Sequence, residues 1–304
     1  MSEIKLFKLT GVKAVEITAE AGGLEKSLQT LIEKNLETML GVRFVASEYS
    51  TGKTHAGRID TLGLDENGCP VILEYKRAVS ENVINQGLYY LDWLLDHKAE
   101  FKLLVLDLFG KQTADDIDWA APRLICVASD FAKHDDHAVR QINRNIDLVR
   151  YSRFGQELLA LELLTSTSAD AIAVEDSDSK PKFGKQSTDK SVAQAIAELD
   201  ERLKDVYLEL RAFILALGDD VNEKPLKLYV AFRRIKNFVT VCVQKKGLYL
   251  YLHVDPSTFT IEEGFMRDVR EIGHWGTGDL ELWITDSASL RKAQPIIVRA
   301  YEGS

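Results

Sequence analysis

Residues 57–76 read GRIDTLGLDENGCPVILEYK, two apolar-rich runs separated by turn-forming residues. Short apolar runs bounded by Gly, Asn and Asp predict a β-hairpin. A three-residue loop, residues 66–68, with Gly68 in the left-handed conformation is one of the common hairpin connections. That loop fixes the register of the two strands and places Asp60 directly opposite Glu74.

The same register pairs Leu62 with Ile72 and, at the charged end, Arg58 with Lys76, because side chains on a strand alternate between faces. Both faces of the hairpin are largely apolar, as in a buried central strand. The charges at its end are either a surface salt-bridge cluster or a site. Burial favours a site, because desolvating carboxylates is unfavourable unless they are paired or bind a metal.

Helices are predicted on both sides of the hairpin, over residues 24–40 and 80–97, where apolar residues recur at the helical period. Gln86 and Tyr90 are four residues apart and project together from the second helix. They are either a surface pair or suited to hydrogen-bond a phosphate or a carboxylate. In the first helix, Glu33 stands at the edge of the apolar stripe and is the acid best placed to reach inward.

The order of an acidic helix, Gly-x-x-Asp, Glu-x-Lys and Gln-x-x-x-Tyr resembles the PD-(D/E)xK nuclease superfamily, in the form found in RecB-type nucleases and archaeal-type mismatch endonucleases. The resemblance covers roughly residues 24–165. It implies an α/β (α+β) fold, a restriction-endonuclease-like mixed sheet flanked by helices. It also implies that Asp60 and Glu74 are metal ligands, aided by the Tyr75 backbone carbonyl, and that Lys76 positions or activates water.

The resemblance further implies that Glu33 is the helix-borne acid of this fold, with Glu25 and Glu37 as alternatives. Gln86 and Tyr90 match its ancillary motif. The implied chemistry is metal-assisted hydrolysis of phosphodiester bonds, in DNA rather than RNA. Mg²⁺ or Mn²⁺ suits a ligand set made only of oxygen atoms.

Composition limits the possible classes of protein. The chain has 304 residues, 45% of them apolar, which predicts one large or two ordinary domains. No apolar run reaches the ~18 residues of a membrane span, and the first residues lack a signal-peptide profile. The three cysteines, Cys69, Cys126 and Cys242, form neither a zinc spacing nor an even disulfide set. We therefore expect a cytoplasmic protein without membrane contact.

The net charge of −9 opposes indiscriminate nucleic-acid binding, so any DNA footprint has to be a local basic patch. Two function classes follow. One is a metal-dependent nuclease, and the other is a non-catalytic nucleic-acid or protein-binding module that retains the nuclease fold. Nucleases of this fold often act as dimers, so a homodimer is a further expectation.

Three regions are predicted along the chain: a nuclease-like domain over residues 1–165, a polar linker over 166–190, and a smaller α+β recognition domain over 191–304. The last region resembles an uncharacterised domain that accompanies nuclease-like domains and is sometimes labelled a predicted transport protein. We expect it to begin with one long helix, residues 192–217, and to contain a second helix near residues 262–270.

Arg58 at the charged end of the hairpin is a candidate nucleic-acid contact, and two features of this last region are further candidates. Arg233, Arg234 and Lys236 lie at a strand turn and either contact phosphates or form a solvated turn. Trp275, in the glycine-rich loop 273–279, either stacks on a base or partner or packs into the core.

Overall fold

The computed structural model describes residues 4–20, 25–77, 82–169, 191–274 and 276–304. The chain forms two compact units, residues 1–170 and 171–304. Most of the predicted linker, from residue 170 to residue 190, lies outside the described residues, as does Trp275.

The first unit contains nine strands and six helices within its described residues. In chain order these elements are β1 Leu6–Thr10, β2 Lys13–Ile17, β3 Ala19–Glu20, α1 Glu25–Lys34, α2 Leu36–Leu40, β4 Val42–Ser50, α3 Gly52–His55, β5 Arg58–Asp65, β6 Pro70–Lys76, α4 Asn82–Asp96, α5 Lys98–Asp115, β7 Arg123–Ala128, α6 Lys133–Arg140, β8 Asn145–Phe154 and β9 Leu158–Ser166.

Seven of these strands form one mixed sheet in the order β3-β8-β7-β6-β5-β4, with β9 also paired to β8. The pairs β6–β7 and β7–β8 are parallel, while β4–β5, β5–β6 and β8–β9 are antiparallel. The prediction of a mixed sheet flanked by helices is therefore confirmed. Strands β1 and β2 form a separate two-stranded hairpin.

The central hairpin β5–β6 has the predicted register, with Leu62 paired to Ile72. Its turn is held by Asp65, whose Oδ1 accepts hydrogen bonds from the backbone N–H groups of Asn67 and Cys69, each at 2.9 Å. Gly68 has φ 77°, the left-handed conformation that glycine adopts without steric cost. The turn therefore sets which residues face each other at the far end of the hairpin.

Helices cover both faces of this sheet. Helix α4 buries Ile84, Leu91 and Leu94 against Leu62 and Ile72. Burying one such side chain stabilises the fold by roughly 1.5–3 kcal/mol. Helix α1 packs against β6 and reaches the opposite face, where its Glu33 accepts a hydrogen bond from Thr61.

The first predicted helix is not continuous. It divides at Asn35 into α1 and α2, and the Asn35 side-chain amide donates to the Leu31 carbonyl at 2.9 Å. Asparagine disfavours helix interiors because its amide competes for backbone groups in this way. Strand β4 was not predicted, since a bulge between Phe44 and Ala46 interrupts its alternation.

The second unit contains six strands and three α-helices within its described residues. They are α7 Val192–Ala197, α8 Glu201–Leu215, β10 Asn222–Pro225, β11 Val230–Arg233, β12 Asn237–Gln244, β13 Gly247–Leu252, β14 Met266–Asp268, β15 Leu280–Ile284 and α9 Ser287–Glu302.

These strands form a separate antiparallel sheet in the order β10-β11-β12-β13-β15-β14. The three helices pack on one face of it, with Leu210, Val241 and Ile297 in a shared core. The predicted long helix is instead two, because Asp200 caps the second one by accepting from the Leu203 N–H at 2.8 Å. The predicted helix near residues 262–270 is wrong, since β14 lies there and pairs with β15.

All three cysteines are buried as free thiols. No helix in the described ranges is long and apolar enough to cross a membrane.

Candidate functional site

Asp60 and Glu74 lie at the end of the β5–β6 hairpin, where the regular ladder stops after the pair Thr61 and Leu73. Each carboxylate accepts a hydrogen bond from the backbone of the other strand. The Asp60 N–H donates to Glu74 Oε1 at 3.2 Å, and the Tyr75 N–H donates to Asp60 Oδ2 at 3.0 Å. These reciprocal bonds fix two acidic side chains next to each other.

Glu74 is the more buried of the two acids, with 0% exposure, whereas Asp60 is half-buried. Within the described part of the chain, Glu74 Oε2 has no hydrogen-bond partner. Burial, together with the neighbouring Asp60 charge, raises the pKa of Glu74 to about 9. Burial also raises the pKa of Asp60. Ionisation of both acids is therefore unfavourable unless a cation offsets their charge.

Lys76 follows on β6, and its charge partly opposes the rise in the pKa of both acids. Its Nζ lies 3.6 Å from Glu25 Oε1 at the start of α1. Glu25 Oε2 also accepts from the Arg77 N–H at 3.2 Å. Glu25, one of the two alternatives to Glu33, is thus the α1 acid that contacts the lysine, whereas Glu37 is exposed on α2.

Glu33 is placed differently from Glu25. It accepts hydrogen bonds from Thr61 Oγ1 at 2.7 Å and Gln29 Nε2 at 3.0 Å. Gln29, which is 3% exposed, also donates to the Asp60 carbonyl at 2.9 Å. Sequence reasoning missed Gln29, although its position one turn before Glu33 on the same stripe was a signal.

Tyr90 fixes the start of β5. Its hydroxyl accepts from the Arg58 N–H at 3.1 Å and from Gln86 Nε2 at 3.4 Å. A Cβ atom on Gly57 would lie 2.5 Å from the Tyr90 ring, so only glycine allows this approach. The Gly-x-x-Asp and Gln-x-x-x-Tyr motifs therefore meet in one contact.

Glu48 is a second residue that sequence reasoning missed. Ser47 pairs with Thr61 and Tyr49 with Ile59, so Glu48 on β4 lies opposite Asp60 on the neighbouring strand β5. Its side chain forms ion pairs with both Lys26 and Arg58, at 2.5 Å each. The expected pairing of Arg58 with Lys76 is not formed, because the β5–β6 ladder ends before it.

The basic residues proposed in the second unit lie at the turn between β11 and β12. Arg233 is buried, and Lys236 is half-buried. Arg234 forms an ion pair with Asp220 at 2.6 Å and lies over the Tyr301 ring at 4.9 Å. Arg234 therefore has structural contacts in its own unit. The structure does not describe Trp275, so its role stays a prediction.

The capacity of the site for a metal can be judged from its donors. Among the described residues, no three Asp, Glu, His or Cys side chains converge to hold an ion by themselves. Asp60 and Glu74 offer two carboxylates, and the Glu74 oxygen that has no donor in the described ranges is the kind of group that a cation compensates. This set fits Mg²⁺ or Mn²⁺, which commonly use one or two carboxylates plus water and substrate phosphate.

The chain is similar to several known proteins. Residues 192–304 match a family described as a domain of unknown function, DUF5655. An uncharacterized protein of Haemophilus influenzae is 28% identical over 305 residues, which cover 98% of this chain and 99% of that protein.

Two solved structures are also similar, each over about half of its own length. A repair endonuclease from Pyrococcus abyssi is 19% identical with a TM-score of 0.29, over 45% of this chain and 51% of that one. An EndoMS-dsDNA2 complex is 20% identical with a TM-score of 0.25, over 43% of this chain and 47% of that one.

Proposed function

We propose that the chain is a nuclease that uses Mg²⁺ or Mn²⁺ to hydrolyse phosphodiester bonds, with DNA as the substrate that the motif resemblance implies. The observation that supports it best is the Asp60–Glu74 pair, in which one buried Glu74 oxygen has no donor among the described residues. A buried carboxylate without a counter-charge is costly, and a divalent cation would offset that cost.

Asp60, Glu74 and the Tyr75 carbonyl would hold the cation. When bound, it supplies electrostatic stabilisation of the negative charge that develops on the phosphate. Lys76 adds a positive charge beside the phosphate and orients the attacking water. This role requires Lys76 to leave its ion pair with Glu25 when the substrate binds. Tyr90 acts as a positioning residue, because its hydroxyl holds the Arg58 N–H two residues before Asp60.

The remaining predicted residues have supporting roles in this proposal. Gln86 orients the Tyr90 hydroxyl, and Glu33 holds α1 to the hairpin through Thr61 and Gln29. The second unit would recognise the substrate or a partner, and a homodimer is a further proposal that sedimentation analysis would test.

Cleavage of a panel of single-stranded, duplex, branched and mismatched DNA with Mg²⁺ or Mn²⁺ tests the proposal. We expect Asp60→Asn, Glu74→Gln and Lys76→Met each to lower kcat by roughly 10²–10³-fold, the loss typical of one electrostatic group in an active site. Glu37→Gln and Lys34→Met, which alter exposed residues of the same charge types, are the matched controls. Full metal-dependent cleavage by Asp60→Asn would contradict the proposal.

A non-catalytic nucleic-acid or protein-binding module is the second candidate. The Glu25–Lys76 ion pair favours it, because a lysine engaged by a carboxylate is not free to assist a water molecule. DNA binding by the wild-type protein without cleavage of any substrate in the panel would favour this module over the nuclease.

A further inference from the structure

Glu48 has a backbone conformation that side chains rarely adopt. Its φ is 52°, in the left-handed region, at the position of β4 that lies opposite Asp60 on the neighbouring strand β5. Residues other than glycine that adopt this conformation are concentrated at functional sites, where the surrounding structure maintains the strain. The conformation turns the Glu48 side chain out of the regular alternation of the strand.

The turned side chain holds two cations at once. Lys26 Nζ lies 2.5 Å from Glu48 Oε1, and Arg58 Nε lies 2.5 Å from Oε2. The side chains of Lys26 and Arg58 are 59% and 69% exposed. Exposed ion pairs contribute little to stability, so these two do not by themselves account for a strained backbone.

Lys26 is also connected to the acidic pair through a buried residue. Its Nζ donates to Gln29 Oε1 at 3.2 Å, and Gln29 Nε2 donates to the Asp60 carbonyl at 2.9 Å. Arg58 lies two residues before Asp60 on the same strand. Lys26 is therefore linked to Asp60 through Gln29, and Arg58 is linked to it through β5. Together with Glu48 these two cations form a triad whose net charge is +1.

We propose that Lys26 and Arg58, held by Glu48 as a positioning residue, contact a backbone phosphate of the nucleic acid next to the bond that is cut. This inference rests on the proposed nuclease function. A phosphodiester carries one negative charge and matches the triad. Because the chain as a whole has a net charge of −9, a local patch of this kind is what binding would require.

Salt dependence of binding tests the two cations. Binding of labelled duplex and single-stranded DNA to the full chain would be measured by anisotropy at several salt concentrations, with Ca²⁺ present to neutralise the acids. We expect Lys26→Ala and Arg58→Ala each to reduce the slope of log K against log salt by about 0.9 on duplex or about 0.7 on single strands. The matched control, Lys111→Ala, removes an exposed lysine that is ion-paired with Asp115 and should leave the slope unchanged.

Kinetics test the positioning role of Glu48. We expect Glu48→Gln to lower kcat by about tenfold or more while KM stays equal or falls, because the cations keep their charge and lose their fixed geometry. Glu48→Gly should behave in the same way although glycine accepts the backbone conformation. A purely structural role would instead change thermal stability and leave kcat and KM as they are.

The phosphate contact and the nuclease function fail on different results. If the wild-type protein cleaves DNA and the slopes of Lys26→Ala and Arg58→Ala equal the wild-type slope, the phosphate contact is overturned and the nuclease stands. If the wild-type protein neither binds Mn²⁺ in calorimetry nor cleaves DNA, both fail. Reduced slopes with unchanged Mn²⁺ binding support the contact.

Discussion

Two carboxylates in the same sheet are buried to the same extent but compensated very differently. Asp147 on β8 and Glu74 on β6 both have 0% exposure. Asp147 forms an ion pair with the buried Arg123 and accepts a hydrogen bond from Ser166 Oγ at 2.5 Å. Glu74 accepts from the Asp60 N–H, and its second oxygen has no donor among the residues that the structure describes.

The contrast separates a structural acid from a candidate ligand. A buried charge is tolerated when an opposite charge and hydrogen bonds satisfy it. Asp147 meets that condition within its own unit, so its ion pair with Arg123 is part of the fold. Glu74 lies beside a second acid instead, which makes its ionisation unfavourable. A cation that binds from solution would offset this unfavourable free energy.

Removing the compensation at Asp147 should have the largest effect. We expect Arg123→Met to lower the free energy of unfolding by about 3–5 kcal/mol, because it leaves the Asp147 charge buried without its partner. Urea denaturation measures this change. Arg140→Met, which breaks an exposed ion pair with Asp136, is the matched control and should change stability by less than about 1 kcal/mol. Equal losses in the two variants would mean that burial does not distinguish the pairs.

Binding of a cation beside Glu74 should have the next largest effect on the free energy of unfolding. Mn²⁺ at about 100 times its Kd should raise the free energy of unfolding of the wild-type protein by about 2.7 kcal/mol. The Glu74→Gln protein should show only a small fraction of that gain. Thermal unfolding with Mn²⁺ and with a chelator measures both, and equal stabilisation of the two proteins would place the metal elsewhere.

The sequence predicted this hairpin well because its determinants are local. The turn at Asp65–Gly68 and the alternation on either side of it set the register, and Gly57 and Gln86 belong to short motifs. Each of these depends on residues close together in the chain. The mixed sheet, by contrast, was implied by the resemblance that these motifs carry.

The contacts around the hairpin could not be predicted because they depend on tertiary packing. Whether Glu25, Gln29 or Glu33 reaches the site is set by the rotation of α1 against the sheet, which periodicity leaves undetermined. Glu48 lies on a strand whose bulge hides its alternation. Residues 262–270 were predicted as a helix from their local pattern. The prediction failed because the pairing of β14 with β15 overrides local propensity.

Neutralising Glu74 should have a smaller effect, and its sign depends on pH. The pKa of Glu74 is raised to about 9 in the folded protein, so the folded state keeps a proton that the unfolded chain loses above about 4.5. Stability of the metal-free protein should therefore fall as pH rises from 4.5 towards 9. We expect Glu74→Gln to be more stable than wild type by about 1–3 kcal/mol at pH 8 and nearly equal to it at pH 5.

Chemical denaturation in the presence of a chelator at the two pH values measures this difference. Glu37→Gln, at an exposed position of α2, is the control and should follow the wild-type protein at both. A Glu74→Gln protein that is less stable than wild type at pH 8 would show that the carboxylate is compensated in solution and would remove the contrast with Asp147.

The smallest change tests how much of the compensation at Asp147 comes from a hydroxyl group. Ser166→Ala removes the donor at 2.5 Å but leaves Arg123 in place, so the charge stays paired. We expect a loss of about 0.5–1.5 kcal/mol in the free energy of unfolding, the usual contribution of one hydrogen bond. A loss as large as that of Arg123→Met would mean that the hydroxyl is as important as the guanidinium. A loss within that smaller range would show that the opposite charge distinguishes Asp147 from Glu74, since a single neutral donor is then too weak to compensate a buried carboxylate.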